Sequence, residues 1–275
     1  MYSEKSGNFT NIYYQEVILY MSLSTIRFTG TSLRNIQEGL GVVSDNISNI
    51  STHGFKERLL NFENIQSKTL GGSSFSGTYL SSTGTDFTQG GLEFTDNNTN
   101  LALSGEGFFT VQDANGQTFF TRTGNFNIDS AFNLVDPNGN YVLSAGGGRI
   151  VFPENMTRFS INPAGEILVD FANDESTFLD QIQLADFANP EGLNNIGSNL
   201  FVETASSGSA IYSTALQSGA ATASTRITAG ALERSNVDLS DELVDLMTLQ
   251  RSYQAISRAT TSSDEMLDTA IGLIR

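Results

Sequence analysis

Residues 33–50, LRNIQEGLGVVSDNISNI, place an apolar side chain at every third or fourth position. This spacing is typical of a heptad seam, a narrow apolar strip along one face of an α-helix that packs against another helix. Gly54 follows where a helix C-cap commonly adopts a left-handed conformation. The sequence therefore predicts an N-terminal helix with a one-sided seam that needs a partner. The seam consists of Ile26, Leu33, Ile36, Leu40, Val43, Ile47 and Ile50.

The same helical spacing returns near the other end of the chain, after Asp238. Asp238 is a predicted N-cap, and Asp241 with Glu242 places negative charge in the first turn, where the helix dipole favours it. This second seam predicts a C-terminal helix that packs on the first. It consists of Leu239, Leu243, Leu246, Leu249, Tyr253, Ile256, Leu267, Ala270 and Ile274.

The segment between the two helices consists of short β-type runs broken by Gly, Asn and Asp. Two examples are FFTVQDANGQTFFTRTG at 108–124 and FNIDSAFNLVDPNGNYVL at 126–143. Each contains an Asn-Gly pair between alternating apolar stretches, which is a strong short-range signal for a β-hairpin. The sequence predicts an α+β fold, with the terminal helices paired as a coiled-coil-like stalk and a central all-β domain of hairpins.

Much of each terminal helix outside its seam is Ala, Ser, Thr and Asn, so neither helix is expected to be stable alone in water. Small residues such as Gly39, Gly41 and Ala255 offer further surfaces for close helix contacts. We therefore predict that both seams, with Asn46 and Asn49 beside the first, form an assembly interface. For these two Asn side chains two interpretations stay open: hydrogen bonds between helices, or bonds to local backbone at the helix end.

The composition excludes several classes of partner. The formal net charge is −16 and only three Lys are present, whereas affinity for nucleic acid rests on basic side chains that neutralise phosphates. An acidic membrane surface repels such a chain for the same reason. Residues 11–21 are mildly apolar, but Glu16 interrupts them and no basic leader precedes them. We expect protein partners, with no nucleic acid and no membrane insertion.

No catalytic, cofactor-binding or metal site is predicted. The chain has no Cys, and His53 is its only histidine, with no G-x-S-x-G elbow for a nucleophile. Gly105 and Gly107 complete no nucleotide-binding motif, so they predict a turn that leads into a buried strand. The run from 129 to 140 lacks the carboxylate that a calcium loop needs at its twelfth position. The chain is therefore expected not to be an enzyme.

Five stretches resemble the bacterial flagellar rod and hook proteins, in the order expected for that family. The resemblance extends over nearly the whole chain from Met21 onward. The first, SDNISNISTHGFK, is similar to the family's N-terminal signature, the next two to its central β signature, and the last two to its C-terminal part. The stretches are residues 44–56, 87–111, 120–126, 187–207 and 230–275.

The resemblance implies an axial structural subunit that is exported unfolded by the flagellar type III apparatus, without a cleaved leader. It implies helical self-assembly, other rod and hook proteins as neighbours, a role in transmitting torque, and a location in the flagellar basal body or beyond it. No cofactor is implied. We expect residues 1–20 to be a disordered extension, residues 21–54 and 236–275 to form an axial core domain, and residues 55–235 to form a β-rich outer domain.

The sequence departs from the family in two places. About 20 residues precede Met21, and the chain runs directly through 146–170 without the large outer domain that is typical of the hook protein. This compactness favours a rod protein, with the distal rod protein as the first choice. The alternatives are a proximal rod or short hook protein, or a secreted β-rich adhesion module whose terminal helices form a stalk.

Overall fold

The computed structural model describes residues 29–67, 75–171, 176–216 and 225–272. The chain divides into two compact units. The terminal unit contains the segments up to residue 45, 59–83 and from 239 onward, and the β unit contains 46–58 and 84–238. The predicted extension over 1–20 lies outside the described residues.

The terminal unit contains two helices and a β-hairpin. Helix α1 covers residues 29–48, helix α2 runs over Leu239–Gly272, and strands β1 (Arg58–Ser67) and β2 (Phe75–Thr85) pair with each other. The predicted helices at both ends of the chain are therefore confirmed, as are the two acidic residues in the first turn of α2.

The N-terminal helix and its predicted glycine cap differ in one respect from the sequence analysis. Helix α1 ends at residue 48, and 49–54 form turns, so Gly54 lies six residues beyond the helix. Gly54 does adopt the left-handed conformation, with φ 69°. Its role is to let the backbone pack closely within the β unit. Its N–H donates to the carbonyl of Glu233, and a side chain here would press on the backbone of Thr123. Tertiary contact, and not helix capping, requires glycine at this position.

Over the residues that the structure describes, the β unit contains sixteen short strands, most of them in one antiparallel sheet. The largest sheet has the order β14-β15-β6-β5-β9-β8-β7, with β13 and β16 beside β5. A three-stranded sheet, β10-β11-β12, and two pairs, β17-β4 and β18-β3, complete the described strands. The strands are β3 Leu92–Phe94, β4 Leu101–Ser104, β5 Phe108–Gln112, β6 Thr118–Thr121, β7 Asn127–Ile128, β8 Leu134–Val135, β9 Tyr141–Val142, β10 Met156–Ile161, β11 Glu166–Phe171, β12 Ser176–Gln181, β13 Leu184–Asp186, β14 Asn194–Gly197, β15 Leu200–Val202, β16 Ile211–Ser213, β17 Arg226–Ala229 and β18 Ala231–Glu233.

Both Asn-Gly pairs lie in hairpin turns, as predicted. Strands β5 and β6 pair across residues 113–117, and β8 pairs with β9 across 136–140. Gly116 and Gly139 take φ values of 87° and 86°, which a side chain would disfavour. In the second turn the Asp136 carboxylate accepts hydrogen bonds from two downstream backbone N–H groups. Turn chemistry therefore fixes the register of both hairpins.

The β unit has two hydrophobic clusters, one on each face of strand β5. Successive side chains of a strand point to opposite faces, so Phe109 joins the main core and Phe108 joins a smaller aromatic cluster. In that cluster Phe120 and Phe187 meet edge to face, with ring centroids 4.8 Å apart. Both residues of the Phe108-Phe109 pair are almost fully buried, which confirms the predicted buried strand after Gly107.

The segment before β3 approaches the segment after β18 very closely. A Cβ atom added at Gly90 would overlap the carbonyl oxygen of Arg234, whereas one added at the neighbouring Gly91 would meet nothing within 4 Å. The N–H of Arg234 donates to the carbonyl of Gly91 at 2.8 Å. The packing therefore requires glycine at position 90, whereas position 91 has room for a larger residue.

We predict that Gly90→Ala lowers the free energy of unfolding of the β unit by about 1–3 kcal/mol, because the added methyl forces the two segments apart. Gly91→Ala, the matched control, should leave stability unchanged within about 0.5 kcal/mol. Urea denaturation of the full chain, followed by far-UV circular dichroism, measures both. Equal stability of the two variants would contradict the close packing.

Candidate assembly interface

Helix α2 carries a row of apolar side chains that remain exposed. Among the described side chains of this helix, six large apolar ones are between 38% and 64% exposed, although such residues are usually buried in a folded chain. Leu239, Leu243 and Met247 are spaced four positions apart and therefore share one side of the helix, with Val244 beside them, whereas Tyr253 and Met266 lie further along the helix. The exposed α2 strip consists of Leu239, Leu243, Val244, Met247, Tyr253 and Met266.

The predicted seam of α1 is more buried than that of α2. Ile36, Val43 and Asn46 are buried, and Leu33, Leu40, Ile47, Asn49 and Ile50 are half-buried. Val42, which the seam prediction missed, is also buried, at 6% exposure. The two predicted seams therefore differ: the first is largely covered within the chain, and the second is largely not.

Contact between α1 and α2 is visible at one position. A Cβ atom added at Gly39 would lie 3.5 Å from Leu249 of α2 and 3.5 Å from Leu60 of β1. Leu246, Leu249 and Ile256 are half-buried. Two predicted interface residues, Ile26 and Ile274, lie outside the described residues. Leu267 and Ala270 lie within α2, but their side chains are not described.

The two asparagines beside the first seam bond to nearby residues. The Asn46 amide donates to the carbonyl of Arg58 and its oxygen accepts from the N–H of Arg58, both at 3.0 Å. The Asn49 oxygen accepts from the hydroxyl of Thr52 at 3.1 Å. The Asn46 bonds link the last turns of α1 to the first residue of β1, and the Asn49 bond lies within the turns that follow the helix.

A buried ion cluster holds the two chain segments that lead to the helices. Lys56 Nζ lies 2.6 Å from Glu233 Oε1, and Arg122 Nη1 lies 3.7 Å from Glu233 Oε2, with all three side chains between 0% and 3% exposed. Lys56 Nζ also donates to the carbonyl of Thr88, and the N–H of Gly90 donates to Glu233 Oε1. The Glu233 carboxylate is therefore the common partner of three separate segments.

Burial decides the electrostatics of this cluster. It lowers the pKa values of Lys56 and Arg122, because a charge loses hydration inside the protein, and the charge of Glu233 offsets only part of that effect. Two cations share one carboxylate here. Loss of the carboxylate would leave both cations buried without their closest counter-charge.

His53 lies near the same segments but has no catalytic neighbours. Its Nε2 atom lies 3.8 Å from Glu93 Oε2, and Arg234 Nε lies 3.8 Å from the same oxygen. Among the described residues, no group of three or more His, Cys, Asp or Glu side chains is arranged to hold a metal ion. Within the same residues, neither helix combines the length and apolarity that crossing a bilayer requires.

We predict that Glu233→Gln lowers the free energy of unfolding by about 3–5 kcal/mol, since it leaves two buried cations without their closest counter-charge. Lys56→Met should cost less, because Arg122 still balances Glu233. Glu93→Gln makes the same chemical change at an exposed ion pair on β3 and should cost less than about 1 kcal/mol. Urea denaturation ranks the three variants, and a Glu233→Gln loss no larger than that of Glu93→Gln would show that the cluster contributes little.

Two family descriptions match separate parts of the chain. Residues 102–169 match the flagellar hook protein FlgE/F/G D1 domain, which here contains the main core strands. Residues 228–273 match the flagellar basal body rod FlgEFG protein C-terminal region, which contains α2 and its exposed strip.

Full-length relatives carry the same description. The chain is 35% identical over 265 residues to the flagellar basal-body rod protein FlgG of Bacillus subtilis, covering 90% of this chain and 98% of the relative. It is 35% identical to FlgG of Borreliella burgdorferi, covering 87% and 94%. The flagellar hook protein FlgE of Escherichia coli is 40% identical over 121 residues, which are 44% of this chain and 29% of that protein. The chain therefore belongs to the flagellar basal-body rod proteins, with FlgG as the member it resembles, and is a structural subunit of the basal-body rod.

Proposed function

We propose that this chain is the subunit of the distal rod and that it polymerises helically through its terminal helices. The observation that carries the proposal is the exposed α2 strip, which leaves apolar side chains in water on a chain that otherwise has a well-formed core. A group of neighbouring exposed apolar side chains, here Leu239, Leu243, Val244 and Met247, is typical of a protein–protein contact. The names of the full-length relatives support the rod assignment.

The strength of the α2 strip favours a polymer over a stable pair. Fully burying one large aliphatic side chain contributes about 1.5–3 kcal/mol, so each half-exposed residue of the strip offers roughly 1 kcal/mol more. Six such residues provide roughly 6 kcal/mol, less than the roughly 8 kcal/mol of a micromolar complex. A subunit that touches several neighbours adds such contacts together, and head-to-tail contacts that do not close produce a helical filament.

In the proposed assembly the terminal unit and the β unit have different roles. Residues 21–54 and 236–275 form the axial core, with α1 and α2 paired as a coiled-coil-like stalk that the contact of Gly39 with Leu249 supports. The β1-β2 hairpin, which groups with the terminal segments, extends this core. Residues 55–235 then form the outer domain, with its own hydrophobic core.

The proposal includes a route by which the chain reaches the rod and the proteins that it contacts there. The chain passes unfolded through the flagellar type III export apparatus, and its helices dock against subunits that are already in place. Its neighbours are further copies of itself and other rod and hook proteins. Torque passes along the polymer through these contacts. The match of residues 228–273 to the C-terminal region that is named for rod and hook proteins together supports a common mode of axial packing.

We predict that Val244→Asp with Met247→Asp abolishes polymerisation, because charge in the centre of the α2 strip prevents its burial. Gln250→Asp with Gln254→Asp adds the same charge at exposed polar positions of α2 and should polymerise like the unchanged chain. Sedimentation and negative-stain electron microscopy of concentrated protein measure assembly. Both variants should keep the β signal in circular dichroism.

Polymers of normal length from the Val244→Asp, Met247→Asp variant would contradict the proposed interface. Loss of its β signal would instead show that α2 is an ordinary part of the folded core. Either result would remove the physical basis of assembly through the helices.

Deletion of the gene in its own bacterium separates the distal rod from the other axial positions. We predict basal bodies that retain the proximal rod and lack everything beyond it, because each axial segment is the platform for the next. Electron microscopy of purified basal bodies measures where the structure stops. Basal bodies without any rod would indicate a proximal subunit, and complete flagella would exclude an axial role.

A further inference from the structure

The methionine side chains of this chain lie in different environments. The chain has five Met, and the structure describes the side chains of Met156, Met247 and Met266. Met156, in β10, is half-buried and packs against the main core of the β unit. Met247 and Met266 lie on α2 and are 50% and 64% exposed. Of these three sulfur atoms, the two on α2 are therefore the more open to a reagent in solution.

Met247 belongs to the group of neighbouring exposed apolar side chains on α2. Leu243 is four positions before it and Val244 is three positions before it, so both adjoin Met247 on the helix surface. They are 43% and 56% exposed. Met266 lies 19 positions further along the helix, a distance of about 28 Å. Of the methionines with described side chains, Met247 is therefore the one within the surface that we propose for assembly.

The thioether of Met247 reacts with peroxides, whereas the aliphatic side chains beside it do not. A lone pair of the sulfur attacks one oxygen of hydrogen peroxide, the O–O bond breaks, an S–O bond forms, and a proton transfer releases water. Sulfur loses the two electrons that the peroxide gains, so the step needs no further reactant. The product, methionine sulfoxide, is polar, and methionine sulfoxide reductases convert it back to the thioether.

A sulfoxide at position 247 would place a polar oxygen beside the apolar group. Leu243 and Val244 offer no hydrogen-bond donor to that oxygen, and burial of an unsatisfied acceptor is unfavourable. On the other side of Met247, Gln250 and Arg251 are exposed and polar. Oxidation would therefore extend this polar surface into the apolar group.

The surroundings of Met266 are already polar. Its described neighbours three and four positions away are Ser262, Ser263 and Thr269. A sulfoxide at position 266 would add a polar oxygen to a polar surface. The two exposed methionines of α2 therefore differ in the effect that oxidation is expected to have on assembly.

We propose that Met247 is a reversible oxidation site that controls whether a free copy of this chain joins the polymer. Peroxide converts the exposed Met247 of a free copy to the sulfoxide, and the oxidised copy docks more weakly. In a copy that is already part of the polymer, neighbouring copies cover Met247 and protect its thioether. This inference rests on the proposed polymerisation through the exposed α2 strip and adds a chemical control of the same surface.

Treatment of dilute full-length monomer with hydrogen peroxide tests the effect of oxidation. Catalase removes the peroxide before the protein is concentrated, and peptide mass spectrometry should find sulfoxide at residue 247. The critical concentration for polymerisation, measured by sedimentation over a concentration series, should rise about tenfold, because docking then buries an unsatisfied acceptor. Incubation with the two methionine sulfoxide reductases, one for each sulfoxide epimer, should restore the original value.

Three variants assign the response to one sulfur atom. Met247→Leu keeps a similar volume without sulfur, so it should polymerise within about threefold of the unchanged chain and should not respond to peroxide. Met266→Leu, the matched control, should keep the full response. Met247→Gln places a polar side chain of similar length at the site and should raise the critical concentration about tenfold without peroxide. Far-UV circular dichroism checks that each variant keeps the fold.

The rate of oxidation in preformed polymer tests the proposed protection. Because the susceptibility of a thioether follows its exposure, Met247 should oxidise at least about tenfold more slowly in the polymer than in the monomer. Quenched time points analysed by peptide mass spectrometry measure both rates. Equal rates would show that neighbouring copies do not cover Met247 and would overturn the inference.

The outcomes separate this inference from the proposed function. If the untreated chain polymerises and its oxidised form has the same critical concentration, the inference is wrong and polymerisation stands. The same conclusion follows if Met247 of the monomer resists peroxide, if Met247→Leu loses assembly on treatment as the unchanged chain does, or if the reductases do not restore assembly. If the untreated chain never polymerises, the proposed function fails and the inference fails with it.

Discussion

The buried carboxylate of Glu233 is the point on which the architecture depends. It accepts from Lys56, which follows the first helix in the chain, and it ends β18, which precedes the second. Because Lys56 and Arg122 are both buried, removal of the carboxylate is far more costly than removal of a surface ion pair. One buried ion cluster thereby brings together the two segments that leave the β unit toward the terminal helices, although they are 177 residues apart in sequence. In the proposed assembly, in which both chain ends enter one axial core, this cluster would be the fixed starting point.

The β unit and helix α2 differ in how their large apolar side chains are buried. The β unit has a hydrophobic core of its own, with complete side-chain burial at Leu101, Phe109 and Ile167. Helix α2 has no comparable core, because many of its large apolar side chains are exposed. Thr248 and Ser252 between them donate hydrogen bonds to carbonyls of their own helix. The exposed apolar side chains of α2 are therefore the feature from which we propose polymerisation.

The sequence predicts local structure well here, and contacts distant in sequence poorly. Helical spacing identified both helices, and turn chemistry at Asn115 and Asn138 identified two hairpins, because each signal depends on neighbouring residues. The heptad seam missed Val244 and Met247, since a search for one stripe ignores a second stripe beside it. Lys56 and Glu233 carry no local sign of their pairing, which arises only when β18 meets the segment after α1.

The central claim is that the apolar strip of α2 lies open on a lone chain and is covered by neighbouring copies in the rod. Amide hydrogen exchange, read by mass spectrometry on dilute monomer and on polymer, tests this claim most directly. The account predicts that amides between residues 239 and 260 exchange at least about tenfold more slowly in the polymer, whereas those of the core strands β4 and β5 remain unchanged. Equal protection of α2 in monomer and polymer would contradict the account.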